Sequence, residues 1–350
     1  MDTKVKVLDS NNLDKGILEE IAQVIKDKGL VAFPTETVYG LGANALDEEA
    51  VTKIFLAKGR PQDNPLIVHI GDLEGIIPLV KNIPEVAKVL MERFWPGPMT
   101  IILEKTSLIP DVTSAGLKSI GIRMPKSIIA RNIIKAAGVP IAAPSANISG
   151  RPSPTDIERC IEDLKGKIEY IVGGEVSEVG LESTIIDCTV TPPCVLRPGG
   201  ITLEMLREID ENIYIDKAIM KKPEKDFKPK APGMKYRHYA PKASVKIISG
   251  ELQKTIAKIN EIVQTYIDEG KKVGIMATEE TKDRYKGALV ISLGSRNNLN
   301  SIGKNLFETL RAFDDNKVDI ILSEAFEEVG FGIAIMNRLK KSAGFNIIDV

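Results

Sequence analysis

Between Lys221 and Lys242 the chain carries four prolines and eight Lys or Arg residues against two acids, Glu224 and Asp226, with no apolar period. Proline donates no backbone hydrogen bond and biases the residue before it away from the helical region, so this stretch makes neither a helix nor an interior strand. It reads as an extended tether that divides the 350 residues into two folding units. Single cores stop growing at roughly 250 to 300 residues, which also favours two domains over one. The expected boundaries are 1–212 for the first domain, 213–242 for the linker and 243–350 for the second domain.

On both sides of the tether, segments with helical apolar spacing alternate with short apolar runs. In the first part the spacing predicts helices over 16–28, 48–57 and 85–94. Strands are expected over 30–33, 66–70, 99–103, 120–123, 139–142, 170–172, 184–187 and 195–196, so strands outnumber helices in an α/β or α+β domain. In the second part, strands near 245–248, 272–276, 289–292, 319–322 and 346–348 alternate with helices near 251–269, 279–286, 298–313 and 333–342. That regular alternation implies a smaller, mostly parallel, doubly wound Rossmann-like domain.

With 43% hydrophobic and 27% charged residues, the composition is that of an ordinary globular protein. A net charge of −1 gives no global pull toward nucleic acid, so any basic surface is a local patch. Cys160, Cys188 and Cys194 follow neither a metal-ligand spacing nor a disulfide framework and read as reduced, mostly buried thiols of a cytoplasmic protein. The N-terminus lacks an apolar signal core, and no run approaches the roughly 18 apolar residues of a membrane span, so no membrane association is expected.

The chemistry-bearing residues gather where strands and helices end. Lys58-Gly-Arg60 closes the helix at 48–57 and leads through Asn64-Pro-Leu to His69. On their own, the two cations also suit a solvated helix C-terminus, and His69 also suits a hydrogen-bonded core position. Pro34-Thr35-Glu36-Thr37, Arg123-Met-Pro125, Pro144-Ser145-Ala-Asn147, Glu182-Ser183-Thr184 and Arg197-Pro-Gly-Gly200 are further strand-end segments. Their hydroxyls and amides also suit turns and caps, but Arg123, following an apolar run, needs a carboxylate or phosphate partner. Together they set Lys58, Arg60, Arg123 and Arg197 among Ser, Thr and Asn groups without a matching carboxylate cluster, which suits a polyanionic substrate. No P-loop, dinucleotide fingerprint or Gly-x-Ser-x-Gly elbow is present, and with only two histidines a dedicated zinc site is not expected.

In order along the chain, Thr35 with Tyr39-Gly-Leu41, Lys58-Gly-Arg60, Asn64-Pro-Leu, His69, Trp95-Pro-Gly-Pro98, Arg123-Met-Pro, Pro144-Ser-Ala-Asn-Ile-Ser-Gly150, Ser183-Thr184 and Leu196-Arg-Pro-Gly resemble the threonylcarbamoyl-AMP synthases. Ala231-Pro-Gly-Met-Lys-Tyr-Arg-His238-Tyr239-Ala-Pro241 is similar to the segment joining the two domains of that family's longer form. The resemblance implies a YrdC-like twisted α/β catalytic domain followed by the Rossmann-like domain. It implies an ATP-using nucleotidyltransferase that joins L-threonine, bicarbonate or CO2, and ATP into threonylcarbamoyl-AMP and pyrophosphate. A partner threonylcarbamoyl transferase complex then modifies an adenosine of tRNA beside the anticodon.

By that resemblance Lys58, Arg60, Ser145 and Asn147 contact the ATP phosphates and the reacting carbamate. Asn64, Ser119, Ser153, Arg197 and Tyr239 help to hold the nucleotide, Tyr239 as part of a lid formed by the linker. Thr35, His69, Arg123 and Ser183 hold threonine, with Arg123 pairing to its carboxylate. Mg²⁺ is expected to arrive on ATP rather than in a protein cage. Two other readings compete: a non-catalytic RNA-binding protein with a basic cleft, or a carbamoyl-adenylate-forming enzyme related to hydrogenase maturation. Aromatic residues at only 5% weaken the first, leaving room for weak RNA contact, and missing acylphosphatase-like and zinc-finger segments weaken the second.

Overall fold

The computed structural model describes residues 1–220, 229–232 and 238–350. Parts of the expected linker, 221–228 and 233–237, therefore lie outside the described residues. The chain forms two compact units. The first comprises Met1–Ser149 and Ser153–Ile219 among its segments, while Gly150–Pro152 belongs with the second.

The first unit runs β1 (Lys4–Val7), α1 (Lys15–Lys26), β2 (Val31–Phe33), β3 (Gly40–Asn44), α2 (Glu48–Lys58), β4 (Ile67–His69), α3 (Glu85–Phe94), β5 (Met99–Glu104) and α4 (Asp111–Ser114). It continues through β6 (Ser119–Arg123), α5 (Ile128–Ala137), β7 (Ile141–Ala142), α6 (Ile157–Leu164), β8 (Tyr170–Gly173), β9 (Thr184–Asp187), β10 (Cys194–Arg197), α7 (Leu203–Arg207) and β11 (Tyr214–Ile215). The strands make one mixed sheet in the order β1-β8-β2-β3-β7-β4-β6-β5-β9-β10-β11. β11 pairs with β10, so this sheet reaches into the stretch 213–242. Cys160, Cys188 and Cys194 are free and buried.

Local chemistry explains the helices that frame the site. Asp47 caps α2 by accepting from Ala50 N, Glu48 and Glu49 sit in its first turn, and Gly59 ends it at a left-handed φ of 61°. Acids at the start and a left-handed glycine at the end complement a helix's unpaired amides and carbonyls. α1 and α5 bury Ile21, Ile25, Ile129, Ile133 and Ile134 in one cluster with Val31, Phe33 and Tyr170 of the sheet. A larger cluster holds Val51, Ile54 and Phe55 of α2 with Val68, Ile101 and Ile122 of the central strands.

β1, β3, α5 and α6 add to the elements expected from periodicity. A strand reading Gly-Leu-Gly-Ala-Asn has little side-chain signal. It exists because the chains pack closely: a Cβ on Gly42 would stand 2.6 Å from both Phe33 and Ile141.

The second unit runs β12 (Ser244–Ser249), α8 (Leu252–Asp268), β13 (Val273–Ala277), β14 (Leu289–Ser292), α9 (Leu299–Asp315), β15 (Ile320–Glu324), α10 (Phe331–Ser342) and β16 (Ile347–Asp349). Its sheet has the order β14-β13-β15-β12-β16 with every pair parallel. The helix expected over 279–286 is instead a single 3₁₀ turn at Lys282–Arg284. Thr278 N donates to Thr281 Oγ1 at 3.1 Å, and this side-chain bond closes a turn where a helix would start.

Gly199 shows how closely the strand-end loops pack, since a Cβ there would lie 2.4 Å from Thr184 N and 2.8 Å from Glu182 O. Both obstacles are backbone, so Gly199→Ala should lower stability by about 2–4 kcal/mol. Urea unfolding of the variant beside the unmodified chain measures this, and equal midpoints would contradict it.

Candidate substrate and nucleotide site

His69 and Arg123 are register partners on parallel β4 and β6, so their side chains share one face of the sheet. Arg123 is only 4% exposed. Its Nε donates to Gly97 O at 3.3 Å and its Nη1 to Thr37 Oγ1 at 2.9 Å. Its Nη2 stands 2.7 Å from Glu36 Oε1, but off the hydrogen-bond axis, so the pair is an ion contact rather than an aligned bond. The other Glu36 oxygen accepts from Lys126 N at 3.1 Å. The four cations are thus not without a carboxylate: a guanidinium this deeply buried needs a counter-charge, and Glu36 supplies it.

Thr35 Oγ1 lies 2.8 Å from Thr37 Oγ1 and donates to Val38 O at 2.6 Å. Ser177 Oγ donates to Thr35 O, and Val179 N donates to Glu36 O, so the loop before Ser183 is stitched to this turn. Ser183 Oγ lies 2.7 Å from Thr100 Oγ1 and accepts from Arg197 Nη2 at 3.0 Å. Arg197 Nε also donates to Ser183 O at 2.9 Å. These bonds bring together Thr35, Arg123, Ser183 and Arg197 with His69 on the neighbouring strand.

A second group forms at the end of α2. Lys58, 2% exposed, donates from Nζ to the carbonyls of Ser145 and Asn147, and Ser149 N donates back to Lys58 O at 2.9 Å. Arg60 is half-buried beside Phe55, with Nη2 3.4 Å from Pro65 O. Asn64 is 1% exposed, and its Oδ1 has no hydrogen-bond partner within the chain. The loop after β2 joins the two groups: Gly40 bridges Ser145, Ala146 N donates to Tyr39 O, and Phe33 presents its ring edge-on to His69 at 6.4 Å.

Of the other expected residues, one is tied to the edge of these groups and two stand apart from them. Ser153 donates to Glu182 Oε1 at 2.6 Å, beside Ser183 in sequence. Ser119 opens β6 opposite Glu104, at the other end of the strand from Arg123 and about 13 Å away at a strand's rise per residue. Tyr239 belongs to the second unit, where it is buried and stacks on Phe307 at 5.0 Å. Glu36, Thr37, Thr100 and Glu182 contact these expected residues, and sequence reading left them without a role. Only the Thr-Glu-Thr and Glu-Ser-Thr strings hinted at three of them, and nothing marked Thr100.

Burial drives the His69 pKa down to about 3, with the charges of Arg123 and Arg197 adding to the effect. The ring is therefore neutral near pH 7, and its Nδ1 is buried without a partner within the chain. Unpaired buried polar atoms cost roughly 1–3 kcal/mol each, so a protein retains them chiefly where a ligand or water meets them. Among the described residues, no group of three or more His, Cys, Asp or Glu side chains is arranged to hold a metal ion. Nor is any described helix long and apolar enough to cross a membrane.

A family model described as Telomere recombination matches residues 23–199, and one described as Threonylcarbamoyl-AMP synthase, C-terminal domain, matches residues 201–344. The threonylcarbamoyl-AMP synthase of Pyrococcus abyssi is 49% identical over 94% of this chain and 94% of its own length. That of Bacillus subtilis is 46% identical over 98% of each. The crystal structure of P. abyssi Sua5 complexed with L-threonine is similar with a TM-score of 0.94 at 46% identity, over 99% of this chain and 100% of that one. Fold and matches define a two-domain α/β protein with a YrdC-like first domain. The chain belongs to the threonylcarbamoyl-AMP synthase family.

The neutral His69 sets a pH dependence. Its folded pKa lies below its ordinary value of 6.5, so the folded chain binds fewer protons than the unfolded one. Its contribution is complete above about pH 6.5 and falls away toward about pH 3, by up to ~1.4 kcal/mol per pH unit. Denaturant midpoints recorded from pH 7 to pH 4 should fall more steeply for the unmodified chain than for His69→Gln. Parallel curves would remove the argument.

Proposed function

We propose that the residues from Thr35 to Arg197 form the site at which this chain turns L-threonine, bicarbonate or CO2, and ATP into threonylcarbamoyl-AMP and pyrophosphate. The chain is a threonylcarbamoyl-AMP synthase, a nucleotidyltransferase of tRNA modification. Carboxylation of the threonine amine gives a dianion. A carbamate oxygen then bonds to the α-phosphorus of ATP while the bond to the β-phosphate oxygen breaks and pyrophosphate leaves. Bringing two anions together requires fixed, dehydrated positive charge, which supplies both positioning and transition-state stabilisation.

The observation that carries this reading is the buried Arg123 guanidinium, held by Glu36, Thr37 and Gly97 O beside the neutral, unpartnered His69 Nδ1. Arg123 offers its remaining N–H groups to the threonine carboxylate, with Thr35, His69 and Ser183 around the rest of the molecule. A pKa of about 3 makes His69 a hydrogen-bonding partner and a poor base near neutral pH. Lys58, Arg60, Ser145 and Asn147 face the phosphates and carbamate, while Asn64, Ser119, Ser153, Arg197 and Tyr239 hold the nucleotide. The L-threonine bound to P. abyssi Sua5 supports the substrate assignment.

Mg²⁺ enters on the ATP oxygens and keeps several waters, a coordination that needs no protein cage. The expected boundaries 1–212, 213–242 and 243–350 assign catalysis to the first domain and a lid to the linker. The product passes to a threonylcarbamoyl transferase complex acting on tRNA in the cytoplasm.

Purified protein incubated with ATP, Mg²⁺, bicarbonate and radiolabelled threonine should release pyrophosphate in a threonine-dependent manner and yield a labelled adenylate. No product under any condition would return the RNA-binding alternative. Adenylate formed from carbamoyl phosphate without threonine would return the hydrogenase-maturation one. Arg123→Lys should raise the KM for threonine by about tenfold or more while changing ATP affinity less than twofold, since lysine lacks the planar fork. An equal loss for both substrates would place Arg123 elsewhere in the reaction. Tyr239→Ala should weaken ATP binding, and unchanged affinity with unchanged activity would sink the lid.

A further inference from the structure

A hydroxyl carries one proton and two lone pairs, so the partners around a buried hydroxyl fix the direction of each bond it makes. Thr35, Thr37, Thr100 and Ser183, beside Arg123 and Arg197, are all buried, and this count applies to each of them. Arg123 Nη1 can only donate, so Thr37 Oγ1 accepts from it at 2.9 Å. Val38 O can only accept, so the Thr35 proton is committed there, at 2.6 Å. The 2.8 Å contact between the two threonine oxygens must then carry the Thr37 proton to Thr35. Thr37 N also donates to Thr35 Oγ1, at 3.2 Å, which fills its second lone pair. Neither threonine keeps a hydroxyl proton for a ligand.

The same count ends differently at Ser183. Its Oγ accepts from Arg197 Nη2 at 3.0 Å and lies 2.7 Å from Thr100 Oγ1. Thr100 is fully buried on β5, and among the described residues Ser183 is the one hydrogen-bond partner of its hydroxyl. A buried hydroxyl proton without an acceptor costs free energy with nothing to offset it, so the Thr100 proton goes to Ser183. Both lone pairs of Ser183 are then filled, and its own proton is left over. Of the four hydroxyls it alone retains one. Packing keeps Thr100 in this orientation: a Cβ on Gly121 of the neighbouring β6 would stand 3.0 Å from Thr100 Cγ2, so the glycine leaves room for that methyl group. A β-branched side chain is stiff at χ1, and seating its methyl group also fixes its hydroxyl.

We propose that Thr100 is a positioning residue for the amino-acid substrate: by donating to Ser183 it holds that serine as a hydrogen-bond donor only, whose proton meets an oxygen of the bound threonine. Thr100 acts through Ser183 and does not itself touch the ligand. This inference rests on the threonine-binding role proposed above for Ser183. Arg197 and Thr100 approach the same oxygen from two sides, so Ser183 Oγ is fixed in place before any ligand arrives.

Calorimetric titration of threonine into the full-length protein, run as a double-mutant cycle, tests this directly. Thr100→Val puts a methyl group where Oγ1 was, and that group must stand back to van der Waals distance, roughly 3.5 Å from Ser183 Oγ. Ser183 thereby loses both a donor and its place. Thr100→Val and Ser183→Ala should each weaken threonine binding by about tenfold. In the Ser183→Ala background Thr100→Val should weaken it by less than about twofold more, because its effect runs through the serine. ATP affinity of the Thr100 variants should change by less than about twofold. Thr100→Ser keeps the donor and should stay within about threefold of the unmodified chain, and Thr100→Ala takes the place of Thr100→Val where that variant fails to fold. Unchanged threonine affinity in Thr100→Val, losses that add in full in the double variant, a parallel loss of ATP affinity, or a Thr100→Ser variant as weak as Thr100→Val would each overturn the proposal. An unmodified chain that binds no threonine would sink the substrate assignment and this inference with it. Tight threonine binding by both the unmodified chain and Thr100→Val would remove this inference alone.

Discussion

The first unit is organised around a guanidinium that has been taken out of water. Arg123 is 4% exposed at the end of β6, and removing one partner of such a pair costs about 3–5 kcal/mol. It is tied to Gly97 O, Thr37 and Glu36, which belong to the turn before β5 and the loop after β2. Glu36 passes the constraint onward, through one oxygen to Lys126 N and through its carbonyl to Val179 N. One charge thus draws together the end of β6, the turn before β5 and the loop after β2. The same charge helps keep His69 neutral, so the electrostatic character of the neighbouring strand end also follows from it.

Lys58 does comparable work with different partners. It sits where Gly59 terminates α2, and its Nζ is directed at the carbonyls of Ser145 and Asn147. A helix end is a mechanically stable mount, because its axis is fixed by the buried stripe Val51, Ile54 and Phe55. The loop opposite has no such stripe. Its position comes from individual bonds: the bridge to Gly40 and the bonds to Tyr39 O and Lys58 O.

How much of this was legible in the residues depended on the kind of signal. Elements with strong periodicity emerge close to their expected bounds, as α3 and β9 show. β3 has no sequence signature because its two glycines carry no period, and the helical pattern at 279–286 yields only a 3₁₀ turn at Lys282–Arg284 because threonine side-chain bonds compete with helix start. The same limit applies at the site. Lys58, Arg123 and Ser183 stood out by residue type and order, whereas Glu36 gave no sign of being the counter-charge of a residue 87 positions away.

The sequence by itself determined the α/β character of both parts and the family, because these follow from local propensity, apolar period and ordered motifs. Only the tertiary structure decided which cation faces which acid, that His69 is held neutral, and that Gly150–Pro152 belongs to the second unit. The reason is physical: burial, charge pairing and hydrogen bonding are set by distances in space between residues remote along the chain. A sequence lists the groups available for such contacts, and the packing of the sheet decides which of them meet.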